Sequence, residues 1–221
     1  MFKYITLLTS ILIILNVTAC ERLSSEPSIF SFIKNGKLEE VKKELNEKAA
    51  FESLNSDGVT PLIYAIQENN IEAFNLLLDS GANPSFKIAS GGSAVTFSIA
   101  NANPDYLRIL IKAGVDVDTF HNERRRNVIF DALSPNRLKH LQILVSAGAN
   151  VNAKDGVNQT PLIVAANLNQ YKAVLLLLEN GANPNLTDNF GNSLSSVLEG
   201  NIELESESMT ELRLKVMSLL D

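Results

Sequence analysis

Apolar side chains recur along this chain in groups of three, at positions i, i+3 and i+4, which is the spacing of one face of an α-helix. Four such groups stand in register: Phe74/Leu77/Leu78, Leu107/Leu110/Ile111, Leu141/Leu144/Val145 and Val174/Leu177/Leu178. Each group is followed by a glycine, namely Gly81, Gly114, Gly148 and Gly181. These glycines are 33, 34 and 33 positions apart. A fixed period near 33 predicts a solenoid built by repeating one supersecondary unit.

Each unit is predicted to contain two short helices. In one unit Thr60 is a favourable N-cap, and Pro61 follows at the first helical position, where its missing N–H would be unpaired anyway. Leu62, Ala65 and Ile66 then share one face of the first helix. The glycine of each unit suits the left-handed position just past the second helix. Helices this short are unstable alone, so neighbouring units are expected to stack and bury their apolar faces together.

The start of the unit resembles the ankyrin repeat. It reads Asp57-Gly58-Val59-Thr60-Pro61-Leu62-Ile63-Tyr64-Ala65 in one copy and Gln159-Thr160-Pro161-Leu162-Ile163-Val164-Ala165 in another. Ile63 and Ile163 replace the usual histidine of the family's motif, and the copies that start at Ser93 and Asn127 keep only the apolar spacing. The resemblance implies an all-α ankyrin-repeat solenoid of paired antiparallel helices with finger loops. It covers residues 28–221 in about six units, including a cap at each end.

Both ends of the array have the pattern of capping units. The predicted apolar positions of the first unit are Ile29, Phe32, Ile33, Val41 and Leu45. The lysines and glutamates between them supply the polar exterior that a terminal unit needs. Near the other end, residues 199–208 are an acidic, polar insertion, after which Val216/Leu219/Leu220 restore the second-helix triplet.

The first 19 residues are predicted to be a signal peptide rather than part of the array. Lys3 and the apolar run from Ile5 to Leu15 are typical of secretory signals, and an uncleaved anchor is the alternative, although the run is short for a membrane span. Val17-Thr18-Ala19-Cys20 resembles the lipobox of bacterial lipoproteins. In that family the peptide is cut before the cysteine, which then carries lipid. The alternative is an ordinary signal peptide in which Cys20 is a small apolar residue.

The lipoprotein resemblance implies a cellular location. Lipidation at Cys20 would hold the chain on a membrane, and residues 20–27 would form the lipidated cysteine and a short polar tether. In the family an aspartate after the cysteine often retains the protein in the inner membrane. Glu21 stands there in this chain, so the resemblance favours the outer membrane, facing the periplasm. Cys20 is the only cysteine, so no disulfide can form within the chain.

Composition and candidate chemistry argue against several function classes. A net charge of −6 disfavours binding to nucleic acid, which calls for a basic face. His121 and His140 lack the clustered ligands of a metal site, and His140 is expected to lie exposed on its helix. Ser195-Ser196 and Gly91-Gly92 lack the context of a catalytic serine or a phosphate loop. We therefore expect no catalytic residue, no metal and no cofactor, in a chain that is monomeric when free.

The residues that the repeat does not need are candidates for partner binding. In ankyrin proteins, partners usually dock on the finger tips and on the exposed side of the first helices. Transferring that face by register gives Asp57, Gln67, Glu68, Lys87, Asn101, Phe120, Glu123, Arg124, Arg125, Asn167, Leu168 and Phe190. The central finger from Phe120 to Arg126 is the most distinctive, because it holds the only run of three cationic residues. The alternative is a solvated loop with Phe120 packed against the repeat.

These features predict a protein-binding module on the outer membrane that works in the periplasm. Its most specific form is an immunity protein that occludes a periplasm-acting toxin, such as a lipase effector of type VI secretion. An envelope scaffold that tethers an enzyme or a complex is the alternative. An enzyme of unrecognised type is a third hypothesis, which the lack of a catalytic constellation disfavours.

Overall fold

A computed structural model of the chain describes residues 28–46, 50–120, 126–200 and 207–220. Within them the chain forms six helical pairs, units 1 to 6. Unit 1 contains α1 (Ile29–Lys34) and α2 (Leu38–Leu45), unit 2 contains α3 (Pro61–Gln67) and α4 (Ile71–Asp79), and unit 3 contains α5 (Ala94–Ala100) and α6 (Asp105–Lys112). Unit 4 contains the 3-10 helix η1 (Val128–Leu133) and α7 (Leu138–Ser146), unit 5 contains α8 (Pro161–Asn167) and α9 (Tyr171–Glu179), and unit 6 contains α10 (Leu194–Gly200) and α11 (Glu207–Met217).

The units stack in chain order. First helices contact first helices from unit to unit, and second helices do the same between most neighbours. A single apolar core runs through the stack from Ile29 to Val216. The described residues contain no strand, and the β-like pairing among them is an isolated bridge between Phe120 and Asn127. The predicted all-α solenoid is confirmed. In the same parts of the chain, no helix is both long and apolar enough to cross a membrane.

The periodic glycines end the second helices. Gly81 has a φ of +102°, and its N–H donates to the carbonyl of Leu78 at 3.0 Å. The next N–H, of Ala82, donates to the carbonyl of Leu77 at 2.9 Å. This pair of bonds is the Schellman motif, which satisfies two carbonyls at the helix end and requires a left-handed residue. The same two bonds recur at Gly114, Gly148 and Gly181.

The first helices of units 2 and 5 begin differently from that of unit 4. In units 2 and 5 the hydroxyls of Thr60 and Thr160 accept the N–H of the third helical residue at 3.4 and 3.3 Å. In unit 4, Asn127 stands at that position, and its side-chain amide donates to Asp118 Oδ1 at 3.2 Å. The helix that follows is a 3-10 helix rather than an α-helix. It still buries five of its six residues: Val128, Ile129, Phe130, Ala132 and Leu133.

The apolar triplets pack largely as predicted. In units 2 to 5 the first two residues of each triplet are buried and the third is half-buried. Unit 6 departs from this pattern, because α11 ends at Met217. Val216 is buried, but Leu219 lies past the helix and is exposed, so its prediction as a core residue was wrong. In unit 1, Phe32 is half-buried and the other four predicted residues are buried.

His140 is 1 % exposed, so the expectation that it lies on the surface of its helix was wrong. The equivalent positions of the other central units are also buried, and they hold Ala73, Tyr106 and Ala173. The second helices therefore bury a wider arc than the triplet alone. Tyr106 packs edge-on against Phe74, with ring centroids 5.0 Å apart.

Polar side chains join neighbouring units. Three of them donate to carbonyls near the end of the preceding first helix: Asn70 Nδ2 to Ile33 O at 2.7 Å, Asn101 Nδ2 to Ile66 O at 2.9 Å, and Arg137 Nη2 to Ala100 O. Helix termini leave carbonyls without a partner within the helix. Each bond therefore gives such a carbonyl a donor from the next unit, and together they link units 1 to 4.

Candidate partner-binding surface

Finger loops connect the units, and their turns are held by side chains. We number them by the unit that follows: finger 2 (53–60), finger 3 (86–93), finger 4 (119–127), finger 5 (152–160) and finger 6 (185–193). In fingers 2, 5 and 6 one side-chain oxygen accepts two backbone N–H groups, at distances from 2.9 to 3.1 Å. The acceptors are Oδ1 of Asn55, Asp155 and Asp188. This Asx-type arrangement fixes the tip of each of these fingers.

Asp188 shows how strongly one of these turns is held. Burial alone would raise the pKa of its carboxyl, but the hydrogen bonds of Asn192, Phe190 and Gln159 to it outweigh burial and lower the pKa. The carboxylate therefore stays ionised at neutral pH and keeps its hold on the two N–H groups.

Neighbouring fingers are bonded to each other. The N–H of Asn189 in finger 6 donates to the carbonyl of Val157 in finger 5 at 3.0 Å, and Asn158 Nδ2 donates to Asn189 Oδ1 at 2.7 Å. Between fingers 3 and 4, Lys87 Nζ donates to the carbonyl of Phe120 at 2.7 Å. Fingers 3 and 4, and fingers 5 and 6, are thus joined in pairs.

The central finger is only partly within the described residues. Glu123, Arg124 and Arg125 lie outside them. The guanidinium of Arg126 lies over the ring of Phe130, 4.9 Å from its centroid, and Arg126 Nε is 3.8 Å from Asp155 Oδ2. Arg126 therefore packs within the array. Phe120 is 52 % exposed, so the expectation within the alternative that it packs against the repeat was wrong, while the solvated loop itself stays a prediction.

The other predicted binding residues lie mainly at the surface. The exposed ones are Asp57, Gln67, Glu68, Lys87, Asn167, Leu168 and Phe190. Asn101 is half-buried, and its amide is bonded to Ile66 O and, at 2.8 Å, to Asn69 Oδ1. These bonds link unit 3 to unit 2, which is a structural role. The assignment of Asn101 to partner binding stays a prediction.

The finger face differs in character along its length. At unit 2 it is acidic, with exposed Asp57 and Glu68. Burial and a hydrogen bond with Glu68 raise the pKa of Tyr64, which lies between these two residues in the chain. Towards units 5 and 6 three exposed residues are large and apolar, namely Val157, Leu168 and Phe190, and they lie among exposed polar residues such as Asn158 and Asn167.

Sequence reasoning missed a groove on the first-helix row between units 3 and 4. It has a volume of about 500 Å³ and is lined by Thr96, Phe97, Ala100, Asp131 and Pro135, among others. The 3-10 geometry of η1 and the proline that follows it set one wall. The departure of the unit 4 motif from the repeat was the available signal, but a motif does not give the shape of a groove.

The finger face of the described residues is a surface that a partner can reach. They contain no group of three or more His, Cys, Asp or Glu side chains that could hold a metal ion. What the face presents is preformed turns, an acidic end and an apolar end. Such an arrangement can recognise a partner by shape and charge.

Comparison with known proteins agrees with this fold. The family model described as "Ankyrin repeats (3 copies)" matches residues 7–88 and 99–188. A putative ankyrin repeat-containing protein of Treponema pallidum is 28 % identical over 129 residues, which are 58 % of this chain and 43 % of the relative. Human ankyrin repeat and SOCS box protein 6 is 29 % identical over 206 residues, which are 87 % of this chain and 48 % of the relative. The chain thus spans about half or less of these relatives.

A solved structure is also similar. It is one chain of a solved complex, described as Bd0816 predatory endopeptidase from Bdellovibrio bacteriovorus in complex with immunity protein Bd3460. The TM-score is 0.69 at 22 % sequence identity, over 89 % of this chain and 100 % of that chain. At this identity the likeness shows the fold. The family model matches well over half of the sequence, and the six stacked helical pairs agree with it, so this chain belongs to the ankyrin-repeat family.

Proposed function

We propose that this chain is a lipid-anchored, periplasmic protein-binding module that acts as an immunity protein. The observation that carries the proposal is the finger face, where exposed side chains such as Asp57, Val157 and Phe190 lie outside the apolar core on turns that hydrogen bonds hold in place. Surfaces of this kind suit protein recognition, since ordered loops lose little entropy on binding. The similar solved complex, which contains an immunity protein, supports the same direction.

The proposed partner is a toxin that acts in the periplasm, and the proposed mechanism is occlusion of its active site. The sequence suggested a lipase effector as the most specific partner. The similar solved complex contains an endopeptidase, so hydrolases of both kinds are candidates. The same face would also serve a scaffold that tethers an envelope enzyme, and the test below separates the two.

The test is protection of cells. An exported hydrolase encoded beside this chain's gene is expressed with its own export signal in a host, with and without the full chain. Immunity predicts that the chain restores survival and lowers the hydrolase activity in periplasmic extracts. Unchanged survival contradicts the immunity function, and binding without loss of hydrolase activity favours the scaffold.

The anchor is proposed from the sequence, since Cys20 and the rest of residues 1–27 lie outside the described residues. We expect Cys20→Ser to release the chain from the membrane fraction after cell lysis, because the acyl chains that hold it would be lost. Fractionation with and without the substitution measures this. If the variant still sediments with membranes, the lipoprotein assignment is wrong. That result would not contradict the proposed binding to a protein partner.

A further inference from the structure

Two exposed apolar side chains stand together at the end of the finger face. Phe190, at the tip of finger 6, is 74 % exposed, and Val157, at the tip of finger 5, is 37 % exposed. They occupy equivalent positions in consecutive units. Because Asn189 N–H donates to Val157 O at 3.0 Å, the two tips are adjacent in space. We call Val157 and Phe190 the fingertip pair.

The fingertip pair stands on a rigid base. Asp155 Oδ1 accepts the N–H of Val157 at 3.0 Å, and Asp188 Oδ1 accepts the N–H of Phe190 at 2.9 Å. The amide of Asn158 joins the two tips through Asn189 Oδ1 at 2.7 Å. A backbone turn that hydrogen bonds already hold before binding gives up little freedom when a partner covers it.

The stack does not require these side chains. The equivalent tip position is Asp57 in finger 2 and Ser90 in finger 3, so the fold forms with polar residues there. The tip segments 156–158 and 189–191 contain no charged residue, in a chain whose net charge is −6. An exposed aromatic on a held turn is the usual chemistry of an interface anchor.

On the function proposed above, we propose that the fingertip pair inserts into an uncharged, apolar cleft of the partner protein. The pair projects from the ends of loops, so only a concave surface can cover it on several sides. A charged cleft would lose its hydration against tips that offer no counter-charge, and that loss is unfavourable. A lipid surface is a poorer occupant, because interfacial binding draws on basic residues and Lys154 is the one cation in finger 5.

Site-directed photo-crosslinking in cells tests the proposal. Phe190 is replaced by the photoreactive p-benzoyl-phenylalanine in the full chain, and the cells are irradiated. We expect one protein adduct whose cross-linked peptide lines an apolar cleft of the captured protein. Leu214 is the matched control, since it is 56 % exposed but lies on α11, and the same replacement there should give no such adduct.

The captured protein is then purified and its affinity for the variants measured. Phe190→Ala should weaken binding by about 30-fold, as for an interface anchor, and Val157→Ala by less. Leu214→Ala should leave the affinity unchanged. Since the exchanged side chains are exposed, thermal unfolding should stay at the wild-type temperature, which separates lost binding from lost folding.

Four outcomes would overturn the proposal: no adduct above the Leu214 level, an adduct with lipid, an adduct with a second copy of this chain, or an unchanged affinity of Phe190→Ala. The two proposals fail separately. If the chain protects cells and Phe190→Ala protects equally well, the fingertip pair is not the anchor and immunity stands. If the cleft adduct forms on a protein that is not a toxin, immunity fails and the mode of docking stands.

Discussion

Units 4 and 5 are neighbours in the stack, and they form their buried first helices in different ways. Unit 5 keeps the repeat motif: Thr160 caps α8, Pro161 follows it, and Asp155 holds the finger turn. Unit 4 has Asn127 at the cap position, a 3-10 helix in place of an α-helix, and one more residue in its repeat. Both units nevertheless bury equivalent apolar residues. Burial of the core face is therefore what the stack requires, and the geometry of the first helix can differ between units that achieve it.

The largest expected effect tests the shared core of the two units. Leu144→Ala in unit 4 and Leu177→Ala in unit 5 each remove a side chain that is fully buried. Each is expected to lower the free energy of unfolding by about 2–5 kcal/mol, through lost burial and the cavity left behind. Urea denaturation followed by circular dichroism measures this loss.

A matched control lies on the same helix of unit 4. Val145 is half-buried, so Val145→Ala should cost clearly less than Leu144→Ala. If both leucine variants unfold at the wild-type urea concentration, the assignment of these two leucines to the buried core is wrong. If only Leu177→Ala is destabilising, unit 4 does not share the core in the way the comparison requires.

The next effect tests the part that only unit 5 keeps. Thr160→Ala removes the hydroxyl that accepts the N–H of Ile163, and is expected to cost about 1 kcal/mol. Thr160→Ser retains the acceptor and should stay near wild type. Thermal unfolding of the three proteins checks this order. Equal losses in the alanine and serine variants would mean that the threonine methyl, rather than the cap, stabilises α8.

The periodic parts of this fold could be predicted from the sequence, because they follow from local chemistry. Gly81 and Thr60 each act within a few residues of their own position, so their roles follow from spacing alone. The error at His140 was avoidable. The equivalent position holds Ala73, Tyr106 and Ala173 in the other central units. None of these residues is charged, and an uncharged position next to the apolar triplet indicates burial.

The parts that resisted prediction depend on contacts between units. The bond from Lys87 to the carbonyl of Phe120 joins residues 33 positions apart, and no local pattern signals it. The same holds for Arg126, which sequence analysis grouped with its cationic neighbours but which packs on Phe130. The adjacency of Val157 and Phe190 likewise becomes visible only when fingers 5 and 6 are placed side by side.

Buried His140 also distinguishes unit 4 from unit 5, where the equivalent residue is Ala173. Burial lowers the pKa of His140, and the charges of Arg137 and Arg108 lower it further, while the backbone at Asn101 and Ser98 acts in the opposite sense. The unfolded chain, with an ordinary histidine pKa near 6.5, therefore takes up a proton more readily than the native protein. Stability should be complete above that pH and should fall as the pH drops below it, by less than about 1.4 kcal/mol per pH unit. The loss should stop once the pH is below the native pKa.

Urea midpoints at pH 7.5, 6.5 and 5.5 measure how steeply stability falls with pH. His140→Gln cannot take up this proton, so its stability should fall less steeply. Since the comparison is between slopes, it holds even if the glutamine variant is less stable at every pH. Equal slopes would mean that His140 is not the group that makes unit 4 sensitive to acid.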